Sequence, residues 1–122
     1  MGSRAAPFQP WCLLPEKAAL GWYVDGRAAA LFGTHTHIQT ADERVLPNGT
    51  GYITDLGMTG PADSVIGVKK NLVVEKFLTQ LPVRFEVETK GDVILCGIVL
   101  EVDEVSGKTR YIERVFENLF SE

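Results

Sequence analysis

The five residues Gly33-Thr34-His35-Thr36-His37 contain both histidines of the chain. Neutral imidazole is the commonest protein metal ligand. Two imidazoles separated by one residue can address a single point if the backbone is extended, because residues i and i+2 then share a face. The pair directly follows an apolar run, Ala28-Ala29-Ala30-Leu31-Phe32, which predicts a short buried strand ended at Gly33. Ligands of α/β sheets collect at such strand ends. The residue types therefore point to half of a metal site. Two donors do not complete one, since catalytic zinc keeps three protein ligands and two-metal hydrolases need more. A pair of ordinary hydrogen-bonded histidines is the plainer alternative.

A second loop has a similar setting. Tyr52-Ile53-Thr54 reads as a strand, and Asp55-Leu56-Gly57-Met58-Thr59-Gly60-Pro61 follows it. Two glycines and a proline predict a tight turn, and such loops let backbone N–H groups approach an anion. The segment lacks both the Walker lysine and the dinucleotide glycine spacing. Asp42 and Glu43 lie near the histidines in sequence and read as solvated turn residues.

The elements that must position these loops are legible from period and punctuation. Pro15 to Tyr23 predicts a helix, with proline and Glu16 suited to its start and Asp25-Gly26 to its end. Asn48-Gly49 predicts a turn joining Glu43–Leu46 to Gly51–Thr54 in a hairpin. Asp63-Ser64 begins a short helical turn that Gly67 ends. Lys69 to Leu81 predicts the clearest helix, with Val73, Val74, Phe77, Leu78 and Leu81 as its apolar stripe and Pro82 as its stop. Val83–Glu88, Val93–Val102 and Thr109–Val115 then read as a three-stranded antiparallel meander, with the 69–81 helix as its cover. Residues 1–14 read as an irregular arm and 116–122 as a short amphipathic tail.

The totals are those of one ordinary globular domain: 122 residues, 45% apolar and 23% charged. The net charge is −4 with no Lys/Arg cluster, which argues against binding a nucleic-acid backbone but leaves room for a nucleotide-sized substrate. No apolar run reaches the ~18 residues of a membrane span. Cys12 and Cys96, with no secretory leader, suggest free thiols in a reducing cytoplasm. Cys96 lies within an apolar strand and reads as a small core residue.

The stretches Gly33-Thr34-His35-Thr36-His37-Ile38-Gln39-Thr40-Ala41-Asp42-Glu43-Arg44 and Tyr52-Ile53-Thr54-Asp55-Leu56-Gly57-Met58-Thr59-Gly60-Pro61 resemble two linked signatures of the YmdB-like metallophosphoesterases. Asp63-Ser64-Val65-Ile66-Gly67 and Phe77-Leu78-Thr79, with Pro82, Arg84 and Phe85, continue the resemblance, which runs from about Glu16 to Arg114. It implies an α/β (α+β) chain forming the C-terminal portion of a four-layer α/β/β/α metallophosphoesterase fold over residues 15–115. It implies a dinuclear iron or manganese centre and hydrolysis of phosphodiesters, including 2′,3′-cyclic nucleotides. His35 and His37 match the family's closing metal ligands. Thr34, Thr36, Asp55, Gly57 and Thr59 match positions that shape the site rather than perform chemistry.

The family's chain is longer. Its opening Asp, a Glu and an Asn-His pair, which supply further ligands and the proton donor, have no counterpart among these residues. Three expectations follow: an incomplete fragment of a metal-dependent phosphodiesterase, a non-catalytic remnant acting as an interaction module, or a half-site completed by another chain, either a homo-oligomer or a separate N-terminal half.

Overall fold

The computed structural model describes residues 13–120. Helix α1 spans Leu13–Val24, beginning two residues earlier than predicted, so that Pro15 sits inside the first turn. Proline is tolerated there because first-turn N–H groups have no partner within the helix. The helix ends where Arg27 N–H donates to Val24 O at 2.7 Å and Gly26 takes φ +85.

Three short strands follow: β1 (Ala30–Phe32), β2 (Arg44–Val45) and β3 (Gly51–Ile53). Their order is β1-β3-β2, with β1 parallel to β3 and β2 antiparallel to it. The predicted hairpin around Asn48-Gly49 is present, closed by Leu46 N–H donating to Thr50 O at 2.8 Å. The expected burial of the first strand does not hold throughout, since Phe32 at its end is exposed. The core lies on β3 instead. Ile53 is fully buried, and Leu46 and Tyr52 are nearly so. Gly21 of α1 lies against the Tyr52 ring so closely that a Cβ there would stand 2.9 Å from two ring carbons.

The second sheet contains β4 (Gly60–Pro61), β7 (Val93–Val102) and β8 (Thr109–Leu119) in the order β4-β7-β8. The expected three-stranded antiparallel sheet is therefore present, but its third strand is β4 rather than residues 83–88. Those residues turn toward a small hairpin of β5 (Ser64–Val65) and β6 (Val68–Lys69). Val87 bridges Val68, Lys69 N–H donates to Glu86 O, and Glu88 N–H donates to Gly67 O, both at 2.9 Å. The predicted helical turn at 63–67 is that hairpin's turn. Ile66 and Gly67 both take positive φ, +49 and +91, which matches the right-handed twist of a two-residue hairpin.

Helix α2 spans Lys70–Thr79 and packs on β5 and β6 rather than over β7 and β8. Only Val73 of its apolar stripe is buried; Phe77 and Leu78 are 76% and 80% exposed. Residues 116–119, expected as a tail, continue β8. The two sheets are joined at Thr109, whose N–H donates to Gly49 O at 2.8 Å and whose hydroxyl donates to Ala29 O at 2.6 Å.

Because Ile53 is wholly buried at the centre of a small core, Ile53→Ala should cost about 2–5 kcal/mol of folding free energy. Urea unfolding followed by circular dichroism will read this as a lower midpoint with little change in slope.

Candidate active site

Strands β1 and β3 are adjacent and parallel, in the register Ala30↔Gly51, Leu31↔Tyr52 and Phe32↔Ile53. Their carboxyl ends therefore lead out side by side, β1 into the histidine loop and β3 into the Asp55–Gly57 loop. This is the edge where ligands of α/β sheets bind. Two backbone bonds tie the loops together: Leu56 N–H to Gly33 O at 2.9 Å and Thr40 N–H to Asp55 O at 3.1 Å.

Asp55 is the anchor. It has no exposure, and both carboxylate oxygens are used. Oδ2 accepts from Thr36 N–H at 2.7 Å and from the Thr36 hydroxyl at 2.8 Å, and Oδ1 accepts from Gly57 N–H at 2.9 Å. The Lys17 ammonium of α1 stands 3.9 Å from Oδ2. Burial pushes this carboxyl up, but the Gly57 and Thr36 hydrogen bonds and the Lys17 charge outweigh it, and the net shift is downward. Gly57 has φ +81, and a Cβ there would stand 2.9 Å from Gln39 N, so the position takes no side chain without displacing the loop.

The histidine loop is not extended. His37 takes φ +63, so residues 35 and 37 do not share a strand face, and the expectation built on extended geometry fails. Histidine is among the few non-glycine residues enriched in that region. Thr36 spans the bend, its hydroxyl accepting from Ile38 N–H at 3.3 Å while it binds Asp55. Both histidine residues are exposed. Of the site-shaping residues expected from the sequence, Thr36, Asp55 and Gly57 converge. Thr34 and Thr59 are exposed, and neither makes a side-chain hydrogen bond among the described residues.

Asp42 and Glu43 are not merely solvated turn residues. Asp42 accepts from the Thr40 hydroxyl at 2.6 Å, from Thr54 N–H at 3.1 Å and from the Thr54 hydroxyl. Burial raises its carboxyl, and these bonds bring it net below the ordinary range. Glu43 Oε2 lies 3.0 Å from Arg114 Nε, a distance for an ion pair without the alignment of a hydrogen bond. Gln39 was not singled out by its sequence context, yet its side-chain amide reaches Leu56 O, Gly97 O and Val115 O at 3.2, 3.2 and 2.9 Å. It fastens the histidine loop to β7 and β8. Cys96 is a free thiol raised by burial, a wall rather than a nucleophile, while Cys12 lies outside the described residues.

His35 and His37 could hold a metal, but the described residues offer no group of three or more His, Cys, Asp or Glu that could do so. The carboxylate touching the loop, Asp55, is already committed on both oxygens. A dinuclear iron or manganese centre therefore does not fit the described residues by themselves.

A family model described as YmdB-like protein matches residues 14–115. The chain belongs to the YmdB-like family. A 2′,3′-cyclic-nucleotide 2′-phosphodiesterase of Bacillus subtilis (strain 168) is 53% identical over 103 residues, which are 84% of this chain and 39% of that protein. A crystal structure of a novel phosphatase from Mycoplasma pneumoniae superposes with a TM-score of 0.79 at 36% identity, covering 88% of this chain and 38% of its own. A hypothetical protein from Thermus thermophilus superposes with a TM-score of 0.77 at 38% identity, over 87% and 41% of the two chains. The chain thus spans about two-fifths of the length of these relatives, and its fold is that of the metallophosphoesterase-type phosphatase. No helix among the described residues is long and apolar enough to cross a membrane.

Replacing Asp55 by Asn leaves one acceptor oxygen where two are used, orphaning a Thr36 or Gly57 donor. The expected loss is about 1–3 kcal/mol in a denaturant titration. The same site sets an acid dependence. Because Asp55 and Asp42 are held below their ordinary value of 3.8, the stability they contribute is whole above that pH. It is lost as pH falls through their lower folded values. Asp55→Asn should make that acid slope shallower, and an unchanged slope would show that Asp55 is not held as described.

Proposed function

We propose that this chain carries the His-x-His part of a metal-dependent phosphodiesterase acting on cyclic nucleotides or other small phosphodiesters. One observation carries the reading: in a member of the YmdB-like family, two parallel strands deliver the His35–His37 loop and the Asp55–Gly57 loop to one edge, locked by a buried carboxylate. On this reading His35 and His37 supply imidazole donors, and iron or manganese is the metal. The remaining donors come from outside the described residues, from a further part of the fold or from a second chain. When bound, the metal would supply Lewis-acid charge and an activated water. Thr36, Asp55 and Gly57 fix where the imidazoles stand and do not touch substrate. A cytoplasmic setting agrees with the free Cys96 thiol.

A second reading is a non-catalytic interaction module. It is favoured by the exposure of Phe77 and Leu78 on α2 and of Phe116 and Leu119 on β8. Exposed apolar side chains on both elements suit partner surfaces.

The chain has only two histidines, so their ring signals are readily assigned. Substoichiometric Mn²⁺ is expected to broaden the His35 and His37 ring resonances before any others. Desalting should remove most of this metal, because two donors hold it weakly. In His35→Ala, the His37 broadening should weaken as well. Broadening that begins at carboxylates elsewhere, with both rings untouched, would defeat the ligand assignment and leave the interaction module standing.

A further inference from the structure

One face of the β7–β8 pair borders the histidine loop. In the register of the two strands Cys96 stands opposite Phe116 and Ile98 opposite Arg114, so Ile94, Cys96, Arg114 and Phe116 share that face. All four line a cleft of about 750 Å³, which His37 and Gln39 of the histidine loop also line. Its volume falls in the range of small-molecule sites.

Among the described residues that line the cleft, Arg114 alone carries a permanent positive charge. Its guanidinium is held at one end. Glu43 Oε2 is buried and lies 3.0 Å from Nε. The two terminal nitrogens, at the other end of the plane, make no hydrogen bond among the described residues. The side chain is 38% exposed, so a ligand in the cleft can reach it. Glu113 and Glu117 alternate to the opposite face of the sheet, with Glu117 at the edge of the cleft. Beyond Glu43, no carboxylate on the cleft face of β8 competes for the fork. The Gln39 amide nitrogen is committed to three carbonyls, so Gln39 offers a ligand only its oxygen, an acceptor. That oxygen suits a ligand hydroxyl and repels an anion, which places the anion at Arg114.

We infer that Arg114 takes the phosphate of the substrate, its two terminal nitrogens donating to the two unesterified oxygens of a phosphodiester seated in the cleft beside His37. A planar fork of donors steadied by a carboxylate matches such a pair of oxygens. The inference rests on the reading of the histidine loop as a phosphodiester site and deepens it. It adds a substrate-binding residue from β8 to the imidazole donors of the loop. Glu43 then serves as a positioning residue, fixing the guanidinium from behind.

Met58 and Met1 are the only methionines, and Met58 lines the cleft, so methyl-labelled methionine gives one reporter inside it. The Arg114 Nε–H resonance is the one that vanishes in Arg114→Gln. Dimethyl phosphate, a diester with neither base nor sugar, is titrated into the full chain without metal at constant ionic strength. Saturable shifts of both reporters are expected. Arg114→Gln should weaken binding at least about tenfold, read at Met58. Arg114→Lys keeps the charge but not the fork, and should weaken it at least about threefold. Arg84→Gln removes the same charge from an exposed position that does not line the cleft, and should leave affinity unchanged.

The absence of a saturable shift, or affinity unchanged in either Arg114 variant, would overturn the inference. An equal loss in Arg84→Gln would do so as well, because it would show attraction by overall charge alone. Saturable binding of inorganic phosphate with none of the diester would overturn the assignment to substrate and leave a site for free phosphate. The outcome is separable from the phosphodiesterase reading. Diester binding with no Mn²⁺ effect on the histidines would keep Arg114 and fail the metal site, and the converse result would fail Arg114 alone.

Discussion

The arrangement depends on one carboxylate that solvent does not reach. Asp55 accepts two hydrogen bonds from Thr36 and one from Gly57, and the Lys17 charge stands close by. Burying a carboxylate is costly unless its oxygens are satisfied. Here every contact that satisfies it also fixes a loop. Thr36 lies between the two histidines, so their placement follows from the partners Asp55 requires. If the carboxylate lost its charge, the hold on Thr36 would weaken, leaving the loop to its backbone bonds and to Gln39.

Around this anchor the fold distributes small polar clasps rather than a deep apolar core. Thr50 donates to Ala28 O at 2.7 Å and accepts from Gly26 N–H at 2.9 Å, fastening the end of α1 to β3. Asp25 accepts from Asn48 N–H at 3.0 Å, and Thr109 joins the two sheets. Leu46, Tyr52, Ile53 and Val73 are the buried apolar side chains among the described residues, while much of α2 and β8 faces outward. Apolar surface left open on this scale is characteristic of interfaces. It agrees with a chain that spans about two-fifths of its relatives' length.

Function divides along the same lines. The loops at the ends of β1 and β3 hold the candidate chemistry, and the 62–92 excursion supplies a wall beside it. The two parts meet at His37. His37, whose backbone is left-handed, lines the cleft that the hairpin also lines.

Sequence alone determined whatever rests on short-range chemistry. Gly33 and the apolar run before it marked the end of β1. Asn48-Gly49 marked the hairpin turn, and alternation marked β7 and β8. The two loop motifs marked the family. Tertiary structure decided the rest, because it depends on partners that are distant in sequence. Alternation at 83–88 predicts a strand, but no strand forms there; only Val87 bridges, and to Val68 of β6 rather than to β7. The β-branched Ile66 gives no hint of a positive φ, and only the hairpin's twist imposes it. An aspartate after a strand reads as a turn residue. That Asp55 is buried follows only when Lys17 and Thr36 are brought to it from two other segments. The His-x-His spacing singled out the candidate donors, while the bend that Asp55 holds through Thr36 was not legible in it.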